Sequence, residues 1–469
     1  MKRSVTDTIT AIATPIGEGG ISVIRISGSL AIPIADRVFK GKSAIADVTT
    51  HTAHFGRVIN TEGRIVDEVV ATVFLAPNSY TGENSVELSC HGGILVTQRI
   101  LELLLTGGAR HAEPGEFTKR AFLNGKLDLS QAEAVADLIH ARSDSAHRVS
   151  VQQLEGKLSD RIRQLRANLI DSIGLLELEL DFSEEGLEFI DKAKFQNSVE
   201  KIVEEINQLI ESFRAGRVFR EGIKVVIAGP PNAGKSSILN ALLKSNRSIV
   251  TDVPGTTRDT IEESVVIGGV SFRLVDTAGL RVTNDVVELE GVKRTENEAR
   301  TGDIVMIVLD ASTSPGNLDL SKIAGFLTSV VPQSDRQIFV LNKYDLPSRP
   351  TSEILRALSS NEISRLVRVS ALTGSGLKEL EEALVETAFA GKERGGETSA
   401  TVTNLRHFEA LNRAKESLKL SLDSLEHRQS NEFVTIDLRN ALDCLGEVTG
   451  EVTSEEILNN IFSKFCVGK

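Results

Sequence analysis

Apolar residues follow two different spacings along the chain, and the change between them divides it. From about residue 120 to 217 they recur every three or four positions, as in "SDRIRQLRANLIDSIGLLELEL", which predicts helices. The same spacing returns from about residue 401. Between these blocks, five short apolar runs are separated by helix-length segments: "IKVVIAG", "SFRLVDTAG", "DIVMIVLD", "RQIFVLN" and "LVRVS". This alternation predicts a doubly wound α/β sheet inserted into a helical domain.

The first 120 residues follow neither pattern throughout. "GISVIRISG", "TAHFGRVIN" and "RIVDEVVATVFLAP" predict strands, and "GILVTQRILELLLTGG" predicts a helix, so this block is α+β. The predicted fold class is therefore multidomain α/β and α. The predicted boundaries are 1–120 for the N-terminal α+β domain, 121–217 and 393–469 for the two parts of a discontinuous helical domain, and 218–392 for the inserted α/β domain.

Two segments have the spacing of a capping box, in which a Ser or Thr side chain caps the helix that follows: Ser130–Glu133 and Thr453–Glu456. The second segment predicts a last helix, which Gly468 ends. Its apolar stripe consists of Ile457, Leu458, Ile461, Phe462 and Phe465. Cys466 follows Phe462 by four residues, so it either extends the buried stripe or is a thiol held out beyond it.

Composition excludes some classes of protein. Apolar residues make up 41% and charged residues 25%, which is typical of globular proteins. No stretch approaches the roughly 20 apolar residues of a membrane span, and "MKRSVTDTITAIATPIGEGG" lacks the apolar core of a secretory signal. Three widely separated cysteines, Cys90, Cys444 and Cys466, suit a reducing compartment. We therefore expect a cytoplasmic protein with no membrane partner.

The formal net charge of −12 argues against nucleic-acid binding through one broad basic face. The densest basic stretch is "FRAGRVFREGIK", which is either a local patch for nucleic acid or a solvated linker. The pair Cys90-His91 has no further ligand at zinc-like spacing, so we expect no zinc site there.

The stretch "VVIAGPPNAGKSSILNALL" has the strongest chemical signal. Gly229 and Gly234-Lys235-Ser236 fit the G-x-x-x-x-G-K-[ST] pattern, with a predicted strand before it and a helix after it. Glycines let backbone N–H groups wrap phosphate oxygens, and the positive end of the helix points at them. We expect Lys235 to reach the β- and γ-phosphates and Ser236 to bind Mg²⁺.

Other motifs indicate which base is bound. "NKYD" ends at Asp345, whose carboxylate can accept both N–H groups of a guanine edge, and "SAL" (370–372) follows the next strand. "DTAG" provides Asp276, which can act on Mg²⁺ through a water, and Gly279, which can sense the γ-phosphate. "PGTTRD" provides a threonine to close on Mg²⁺. This order of elements over about residues 222–390 resembles the GTPases of the translation-factor class, and so predicts a Ras-like P-loop GTPase domain.

Two details bear on the mechanism. Leu280 stands where Ras-like proteins have the Gln that orients water, so another group must do this, and Asp285, Glu288 and Glu290 are the candidates. The amide of Asn232 either packs the phosphate loop or holds a monovalent cation there. A K⁺ ion at that point would supply the positive charge that an arginine finger gives elsewhere.

Motifs along the whole chain resemble one family. "PNAGKSS", "GTTRD" and "DTAGLR" in the α/β block and "FCVGK" at the end are similar to the MnmE (TrmE) family of tRNA-modification GTPases. "ATPIGEGGISVIRISG", "SYTGENSVELSCHGG" and "GEFTKRAFLNGKLDLSQAEAVADLI" resemble its N-terminal region. One departure is "LRVTND" after "DTAG", where a more acidic run is expected.

The resemblance implies a homodimer formed through N-terminal domains that bind 5,10-methylene- or 5-formyl-tetrahydrofolate. It implies a complex with MnmG, a heterotetramer or larger, in which FAD is held only by MnmG. The implied reaction modifies C5 of the wobble uridine of certain tRNAs, with a one-carbon unit from the folate and an amine from glycine or ammonium. The implied GTP hydrolysis is stimulated by K⁺ and brings the G domains together.

The resemblance also implies the roles of individual residues. The segments assigned to GTP or GDP are Asn232, Ala233, Gly234, Lys235, Ser236, Ser237, Thr251, Asp252, Val253, Pro254, Gly255, Thr256, Thr257, Asp276, Thr277, Ala278, Gly279, Asn342, Lys343, Tyr344, Asp345, Ser370, Ala371 and Leu372. Mg²⁺ is assigned to Ser236 and Thr257, and K⁺ to Asn232, Thr251, Val253 and Thr256.

Glu288, twelve residues beyond Asp276, aligns with the glutamate that orders the attacking water. Cys466 belongs to the family's C-[ILV]-G-K signature, as a nucleophile or as a group that positions substrate. The implied folate contacts are Arg25, Glu83, Lys126 and Lys469. A carboxylate suits paired N–H donors of a pterin, and the cations suit the glutamate tail. Without the resemblance, Arg25 would be an edge-strand or interface charge and Lys126 an ordinary surface lysine.

Two other functions share some of these features. A GTPase for ribosome assembly shares the phosphate loop and the apolar residue after "DTAG", but it predicts an appended RNA-binding domain and no folate block. A scaffold whose nucleotide state sets only dimer geometry would not require Cys466 chemically. Both flanking regions favour the tRNA-modifying enzyme.

Overall fold

The computed structural model describes residues 7–181, 192–245, 262–276, 298–312, 336–346, 365–389, 400–427 and 430–469. The chain forms two compact units, both discontinuous in sequence. The first unit consists of Met1–Ala136, Gln153–Val203 and Ala410–Lys469, and the second of Asp137–Gln152 and Glu204–Glu409. The predicted fold class, an N-terminal α+β region, helices and an inserted α/β sheet, is confirmed. The exact domain boundaries stay a prediction.

Seven strands form the sheet of the first unit: β1 (Ile9–Ile12), β2 (Gly19–Ser27), β3 (Phe39–Gly41), β4 (Thr52–Ile59), β5 (Ile65–Phe74), β6 (Ser85–Gly92) and β7 (Arg110–His111). Their order is β3-β4-β5-β6-β2-β1-β7, and every pairing is antiparallel except β1 with β7. In β2 apolar residues alternate, so Ile24 and Ile26 are buried while Arg25 lies on the opposite face.

Helices α1 (Ala31–Val38) and α2 (Ile94–Thr106) pack on the sheet. Ile34 of α1 and Ile100 of α2 share one apolar core with Ile24 and Leu88 of the strands. A short helix, α3 (Glu116–Leu123), follows β7. Its N-cap is Gly115, whose φ of +68° is in the left-handed region that favours glycine.

Four longer helices follow: α4 (Leu129–His140), α5 (Asp144–Leu154), α6 (Lys157–Asp181) and α7 (Lys192–Glu221). The prediction that Ser130 caps the first of them is wrong. Asp128 is the cap, because its Oδ1 accepts from Gln131 N at 2.9 Å and Gln131 Oε1 accepts from Asp128 N at 3.0 Å. Asp128 and Gln131 satisfy the N-cap and N3 backbone donors in the same reciprocal way as the predicted pair would have done, but the capping box lies two residues earlier.

Six strands form the sheet of the second unit: β8 (Ile223–Ala228), β9 (Glu262–Ile267), β10 (Val270–Asp276), β11 (Ile304–Asp310), β12 (Gln337–Asn342) and β13 (Leu366–Arg368). Their order is β13-β12-β11-β8-β10-β9, parallel except for the edge strand β9. Helices α8 (Lys235–Ser245) and α9 (Leu377–Phe389) accompany this sheet. Parallel strands end at the same sheet edge, so the loops after β8, β10, β12 and β13 lie there together.

The basic stretch near residue 220 is part of α7 and β8 and is not a linker, and its Arg214 is exposed. It continues α7 into β8, and three of its cations form ion pairs within the second unit. Arg217 binds Asp303 at 2.7 Å, Arg220 binds Asp137 at 2.8 Å, and the Lys224 ammonium lies 2.6 Å from Glu298. These charges are therefore satisfied by carboxylates of the protein.

The last helices are α10 (Leu405–Glu426), α11 (Asn431–Thr449) and α12 (Glu455–Phe462). Ser454 caps α12, since its side chain accepts from Ile457 N, so the prediction of Thr453 is one residue early. The helix ends at Phe462 with Ser463 as C-cap, and the prediction that Gly468 ends it is wrong. No helix among the described residues is both long and apolar enough to cross a membrane.

Candidate functional site

The loop between β8 and α8, residues 229–234, has a backbone that requires glycine at two positions. Gly229 has φ +144°, and a Cβ built on it would lie 2.2 Å from the carbonyl oxygen of Val308. Gly234 has φ +90°, and its Cβ would lie 2.1 Å from Nδ2 of Asn342. Asn232 also has a positive φ, +60°, which asparagine tolerates better than most residues. The loop is therefore shaped by close backbone approach, as the phosphate-loop prediction requires.

Lys235 is the first residue of α8 and is only 7% exposed. Its ammonium donates to the carbonyl oxygens of Gly229 at 2.8 Å and Pro230 at 2.9 Å, so the side chain folds back over the loop. Burial lowers the pKa of Lys235, and the nearby carboxylate of Asp276 opposes that shift. A buried cation inside a loop of backbone donors is suited to binding an anion.

Ser236 and Asp276 provide the oxygens expected near Mg²⁺. The Ser236 hydroxyl donates to Asp276 Oδ2 at 2.6 Å, although the two residues come from different elements, α8 and the end of β10. Hydroxyl and carboxylate oxygens are the hard ligands that Mg²⁺ prefers, and this ion normally takes its other ligands from water and phosphate. The residues present therefore fit a Mg²⁺ ion bound together with a nucleotide.

Asn342 ends β12 and is 2% exposed. Its Nδ2 donates to the carbonyl oxygen of Ala233 at 3.0 Å, and its Oδ1 accepts from the backbone N–H of Ala371 at 3.1 Å. One amide therefore joins the phosphate loop to the loop after β13. Within the "NKYD" motif, the Asn342 side chain is therefore engaged in these two hydrogen bonds and is not free.

The rest of the "NKYD" motif turns at Lys343, which has φ +61°. The Lys343 ammonium lies 2.5 Å from Asp310 Oδ2 at the end of β11. Burial by itself would raise the pKa of the Asp310 carboxyl, but hydrogen bonds from Lys343 and Ser312 bring it below its usual value. The Arg368 guanidinium lies 5.5 Å from the Tyr344 ring centre. Asp345 follows them and is exposed. It takes no part in the hydrogen bonds that join Asn342 to Ala233 and Ala371.

The predicted "SAL" stretch forms a tight turn after β13. Ser370 is 1% exposed, and its hydroxyl oxygen accepts from Thr373 N at 3.2 Å. Leu372 is 88% exposed, an unusual exposure for a large apolar side chain. Sequence reasoning did not name Asp310, although a carboxylate ending the buried run "DIVMIVLD" was a visible signal for a partner at this sheet edge.

Several predicted site residues lie outside the described residues, and their roles stay predictions. They are Thr251, Asp252, Val253, Pro254, Gly255, Thr256, Thr257, Thr277, Ala278, Gly279 and Glu288, together with the alternatives Asp285 and Glu290.

The first unit brings a second group of predicted residues together. Arg25 lies in β2, with its guanidinium bound to Glu87 of β6 at 2.7 and 2.8 Å. The guanidinium carbon lies 5.4 Å from the ring centre of Tyr80 and 5.5 Å from that of Phe117. Such contacts hold a guanidinium in place while leaving part of it accessible. Neither aromatic residue was named by sequence reasoning.

Glu83 is anchored by a buried arginine. Its carboxylate accepts from the Ser27 hydroxyl at 2.8 Å and from Arg120 Nη1 at 3.2 and 3.3 Å. The Arg120 side chain is 2% exposed and also binds Asp7 at 2.7 Å and Glu116 at 2.9 Å. We call Asp7, Glu83, Arg110, Glu116 and Arg120 the buried charge cluster, because its central member Arg120 is buried, while the Asp7 and Arg110 side chains at its edge are 43% and 44% exposed.

Two carboxyl groups of this cluster, those of Glu116 and Asp7, are stabilised in their charged form. Burial alone would raise the pKa of Glu116, but hydrogen bonds from Arg110, the Glu113 backbone and Arg120 hold it below its usual value. The same balance of burial against Arg110 and Arg120 lowers the pKa of Asp7. Arg120 itself was not predicted, and its neighbours in "GEFTKRAF" gave no signal that it would be buried.

Lys126 follows α3 and its ammonium donates to the Pro77 carbonyl oxygen at 3.2 Å. It lines a cavity of ≈ 360 Å³ whose walls are His51, Phe74, Asn78, Ser79, Tyr80 and Lys126. Tyr80 is thus shared between this cavity and Arg25. A cavity with an ammonium at its wall and a guanidinium nearby has the charge expected for a ligand with carboxylates.

Residues 463–469, which we call the terminal segment, run past the end of α12. Phe465 is 7% exposed and packs with Phe462 and Leu458 against Leu129 and Ala132, so the predicted apolar stripe is buried in part. Cys466 is exposed and does not extend the stripe, which decides between the two alternatives for its position.

Backbone contacts hold the terminal segment against α3. The Cys466 carbonyl oxygen accepts from Gly115 N and from Lys469 N, each at 3.3 Å, and the Lys469 oxygen accepts from Phe117 N at 3.2 Å. Phe117 in turn lies under the Arg25 guanidinium. The structure therefore links Lys469 to Arg25 through Phe117, and Arg25 to Lys126 through Tyr80. Glu83 is held separately, by the buried charge cluster.

The fold and the nucleotide site of the second unit together define a P-loop protein of the GTPase class. Comparison with known proteins narrows this. Residues 129–466 match the family described as "MnmE helical domain", and residues 8–126 match "GTP-binding protein TrmE N-terminus". The chain belongs to the MnmE family of tRNA modification GTPases.

Three full-length relatives, each named tRNA modification GTPase MnmE, support this assignment. The protein of Chlorobaculum tepidum is 44% identical over 98% of this chain and 97% of its own. That of Chlorobium luteolum is 46% identical over 98% and 97%, and that of Clostridioides difficile 42% identical over 99% and 100%. The solved G domain of the T. maritima FeoB iron transporter covers 35% of this chain and 98% of its own, at 25% identity and a TM-score of 0.26.

Proposed function

We propose that this chain is a K⁺-stimulated cytoplasmic GTPase that modifies C5 of the wobble uridine of certain tRNAs together with the FAD protein MnmG. The proposed one-carbon donor is 5,10-methylene- or 5-formyl-tetrahydrofolate, and the proposed product carries a carboxymethylaminomethyl or aminomethyl group. The chain acts as a homodimer. The observation that carries the proposal is the terminal segment, which holds an exposed Cys466 next to residues that flank Arg25.

In the proposed GTPase step, the loop 229–234 wraps the phosphates and Lys235 contributes its buried positive charge. Ser236 and Asp276, already 2.6 Å apart, would hold Mg²⁺, Asp276 through a water and Thr257 as a further ligand. When bound, the metal neutralises charge that develops on the phosphates. Asp345 accepts from the guanine edge, and its specificity for guanine follows from the two N–H donors that adenine cannot offer.

Four residues outside the described part, Glu288, Thr251, Val253 and Thr256, complete the proposed step. Glu288 orders the attacking water, because Leu280 cannot. K⁺ is assigned to Asn232 with Thr251, Val253 and Thr256, of which Asn232 lies in the phosphate loop with a positive φ. Fixed positive charge at this place stabilises the transition state of phosphoryl transfer.

In the proposed modification step, Arg25, Lys126 and Lys469 bind the carboxylates of the folate and Glu83 its pterin edge. The support for Arg25 and Lys126 is the arrangement of Arg25 over Tyr80 beside the ≈ 360 Å³ cavity with Lys126 in its wall. The support for Lys469 is the hydrogen bond from Phe117 N to its carbonyl oxygen, since Phe117 also contacts Arg25. The support for Glu83 is its anchoring by Arg120 and Ser27, which fixes the direction of the carboxylate. Cys466 acts on the uridine, as a nucleophile or by positioning it.

The test is reconstitution with FAD-bound MnmG, tRNA, 5,10-methylene-tetrahydrofolate, glycine or ammonium as the amine donor, and GTP, with the modified nucleoside measured by mass spectrometry. Cys466→Ser is expected to lose modification while it hydrolyses GTP at the wild-type rate. Cys444→Ser, which changes a half-buried thiol on α11, is the matched control and is expected to retain both. If Cys466→Ser modified tRNA at the wild-type rate, the thiol would have no chemical role. The chain would then act as a scaffold whose nucleotide state sets only the dimer geometry.

The same assay tests the cation. GTP hydrolysis is expected to be faster in K⁺ than in Na⁺, and Asn232→Ala is expected to remove the difference. An unchanged ratio in the variant would rule out Asn232 as a cation ligand.

A further inference from the structure

The position of Cys466 depends on backbone that is far away in sequence. The residue lies beyond the C-cap of α12, so no helix fixes it. Its own side chain is exposed, and the neighbouring Val467 is 43% exposed. What fixes the Cys466 main chain is the pair of hydrogen bonds to its carbonyl oxygen, one of which comes from Gly115 N at 3.3 Å.

Gly115 permits this contact because it has no side chain. It stands at φ +68°, and a Cβ built on it would lie 2.6 Å from the Phe462 carbonyl oxygen and 3.0 Å from Phe465 Cβ. The Phe462 oxygen is backbone, and the Phe465 ring is buried, so neither can yield cheaply. The chain leaving α12 therefore passes over Gly115 at the closest distance that two backbones allow.

Gly468 makes the second close approach, from the terminal segment itself. It has φ +94°, and its Cβ would lie 2.4 Å from the Ile12 carbonyl oxygen and 3.0 Å from Ala13 Cα. Between these two contacts the segment is tied further by the hydrogen bond from Phe117 N to the Lys469 oxygen, 3.2 Å long. Cys466 and Val467 are thus the exposed residues between two glycine-dependent contacts.

We propose that Gly115 is a positioning residue for Cys466, and that Gly468 acts with it to hold the thiol over the N-terminal sheet. This inference rests on the proposed role of Cys466 in tRNA modification. Gly115 itself touches no substrate. It acts by letting the terminal segment seat on the first turn of α3, which sets where the thiol and Lys469 stand relative to Arg25.

Gly115→Ala tests the inference, with Gly63→Ala as the matched control. Gly63 belongs to the same unit and has a similar φ of +77°, but a Cβ there has nothing within 4 Å. Both variants therefore carry the same backbone strain, and only Gly115→Ala adds the clash. In the reconstituted system, Gly115→Ala is expected to lower kcat for modification by about 100-fold, the scale of a misplaced reacting group. Its KM for tRNA and its GTP hydrolysis are expected to match those of Gly63→Ala.

Amide hydrogen exchange reports the cause. Peptides covering residues 112–120 and 460–469 are expected to lose protection in Gly115→Ala and to keep it in Gly63→Ala. The amides of residue 115 and Phe117 donate across this contact, and the Lys469 amide donates to Cys466 within the segment that the contact orders. Modification by Gly115→Ala at the Gly63→Ala rate would overturn the proposal. If Gly115→Ala does not fold, Gly468→Ala displaces the segment without altering α3, and wild-type modification by that variant overturns the proposal equally.

Cys466→Ser, measured in parallel, separates this inference from the function on which it rests. An inactive Cys466→Ser with an active Gly115→Ala removes only the positioning role. A fully active Cys466→Ser removes the role of the thiol, and hydrogen exchange alone then decides whether Gly115 holds the terminal segment.

Discussion

The two candidate sites of this protein are built in opposite ways. The phosphate site takes its loop, its lysine and its serine from one contiguous stretch, residues 229–236. The site around Arg25 is assembled from segments near residues 25, 83, 117–126 and 466–469. The first needs correct local backbone, and the second needs most of its unit to be folded. Damage to the first should therefore affect chemistry alone, whereas damage to the second should also affect stability.

Two of the three thiols of the first unit, Cys90 and Cys466, give the largest expected contrast. Cys90 is 3% exposed, and burial, with the nearby Asp67 charge, raises its pKa to about 11. At pH 8 only about one Cys90 side chain in a thousand is then a thiolate. We expect iodoacetamide to alkylate Cys466 in the folded protein, as mass spectrometry of peptides can show, and to leave Cys90 unmodified until the pH approaches 11.

Unfolding in urea is the control, since all three cysteines should then react. Equal modification of Cys90 and Cys466 in the folded protein would contradict the contrast between a buried thiol and an exposed one.

The buried charge cluster should make the assembled site sensitive to a single charge. Arg120→Gln leaves the carboxylates of Asp7, Glu83 and Glu116 without their buried cation, and we expect a loss of roughly 3–5 kcal/mol of unfolding free energy. Arg110→Gln is the matched control, because Arg110 binds Asp7 and Glu116 but its side chain is 44% exposed. Its expected cost is about 1 kcal/mol or less.

The measurement is urea unfolding of both variants at neutral pH, followed by hydrogen exchange of α3 peptides to assign the transition to the first unit. Equal losses for Arg120→Gln and Arg110→Gln would show that burial of the cation does not matter.

The contiguous site should lose activity without losing stability. Lys235→Ala removes the buried ammonium of the phosphate loop, and we expect roughly a 100- to 1,000-fold lower kcat for GTP hydrolysis. The melting temperature should not fall, because burial disfavours the charged lysine, as the lowered pKa indicates. Lys244→Ala, in the last and exposed turn of the same helix, is the control and should hydrolyse GTP normally.

A Lys235→Ala protein that unfolded as easily as Arg120→Gln would break the distinction between the two sites. Steady-state phosphate release and calorimetry on the same preparations decide it.

The same difference explains which strands and site residues could be predicted from the sequence. The five predicted strands of the α/β sheet are present as β8 and β10–β13, because parallel strands buried on both faces are continuous apolar runs. The edge strand β9 carries two glutamates and was not predicted, since half-exposed strands lack that signal. In the first unit, the four-residue β1 was too short to be predicted from its spacing.

For the sites, glycine, lysine and serine in the phosphate loop were predictable because their spacing is local. Arg120, Tyr80 and Phe117 were not, because their importance comes from partners on other elements. Arg25 opposes Glu87 only through the register of β2 with β6, which no local pattern specifies. The cap at Asp128 shows the same limit on a small scale, since Asp–Gln and Ser–Glu pairs offer nearly equivalent caps.

The contact between Gly115 and Cys466 joins residues about 350 positions apart in the chain. During synthesis the phosphate loop emerges from the ribosome long before the segment that completes this contact, and domains generally fold as units in that order. Nucleotide turnover and modification therefore become possible at different times in the life of one molecule. A protease that removed residues 466–469 would return the molecule to the earlier stage, with its phosphate loop intact and its thiol gone.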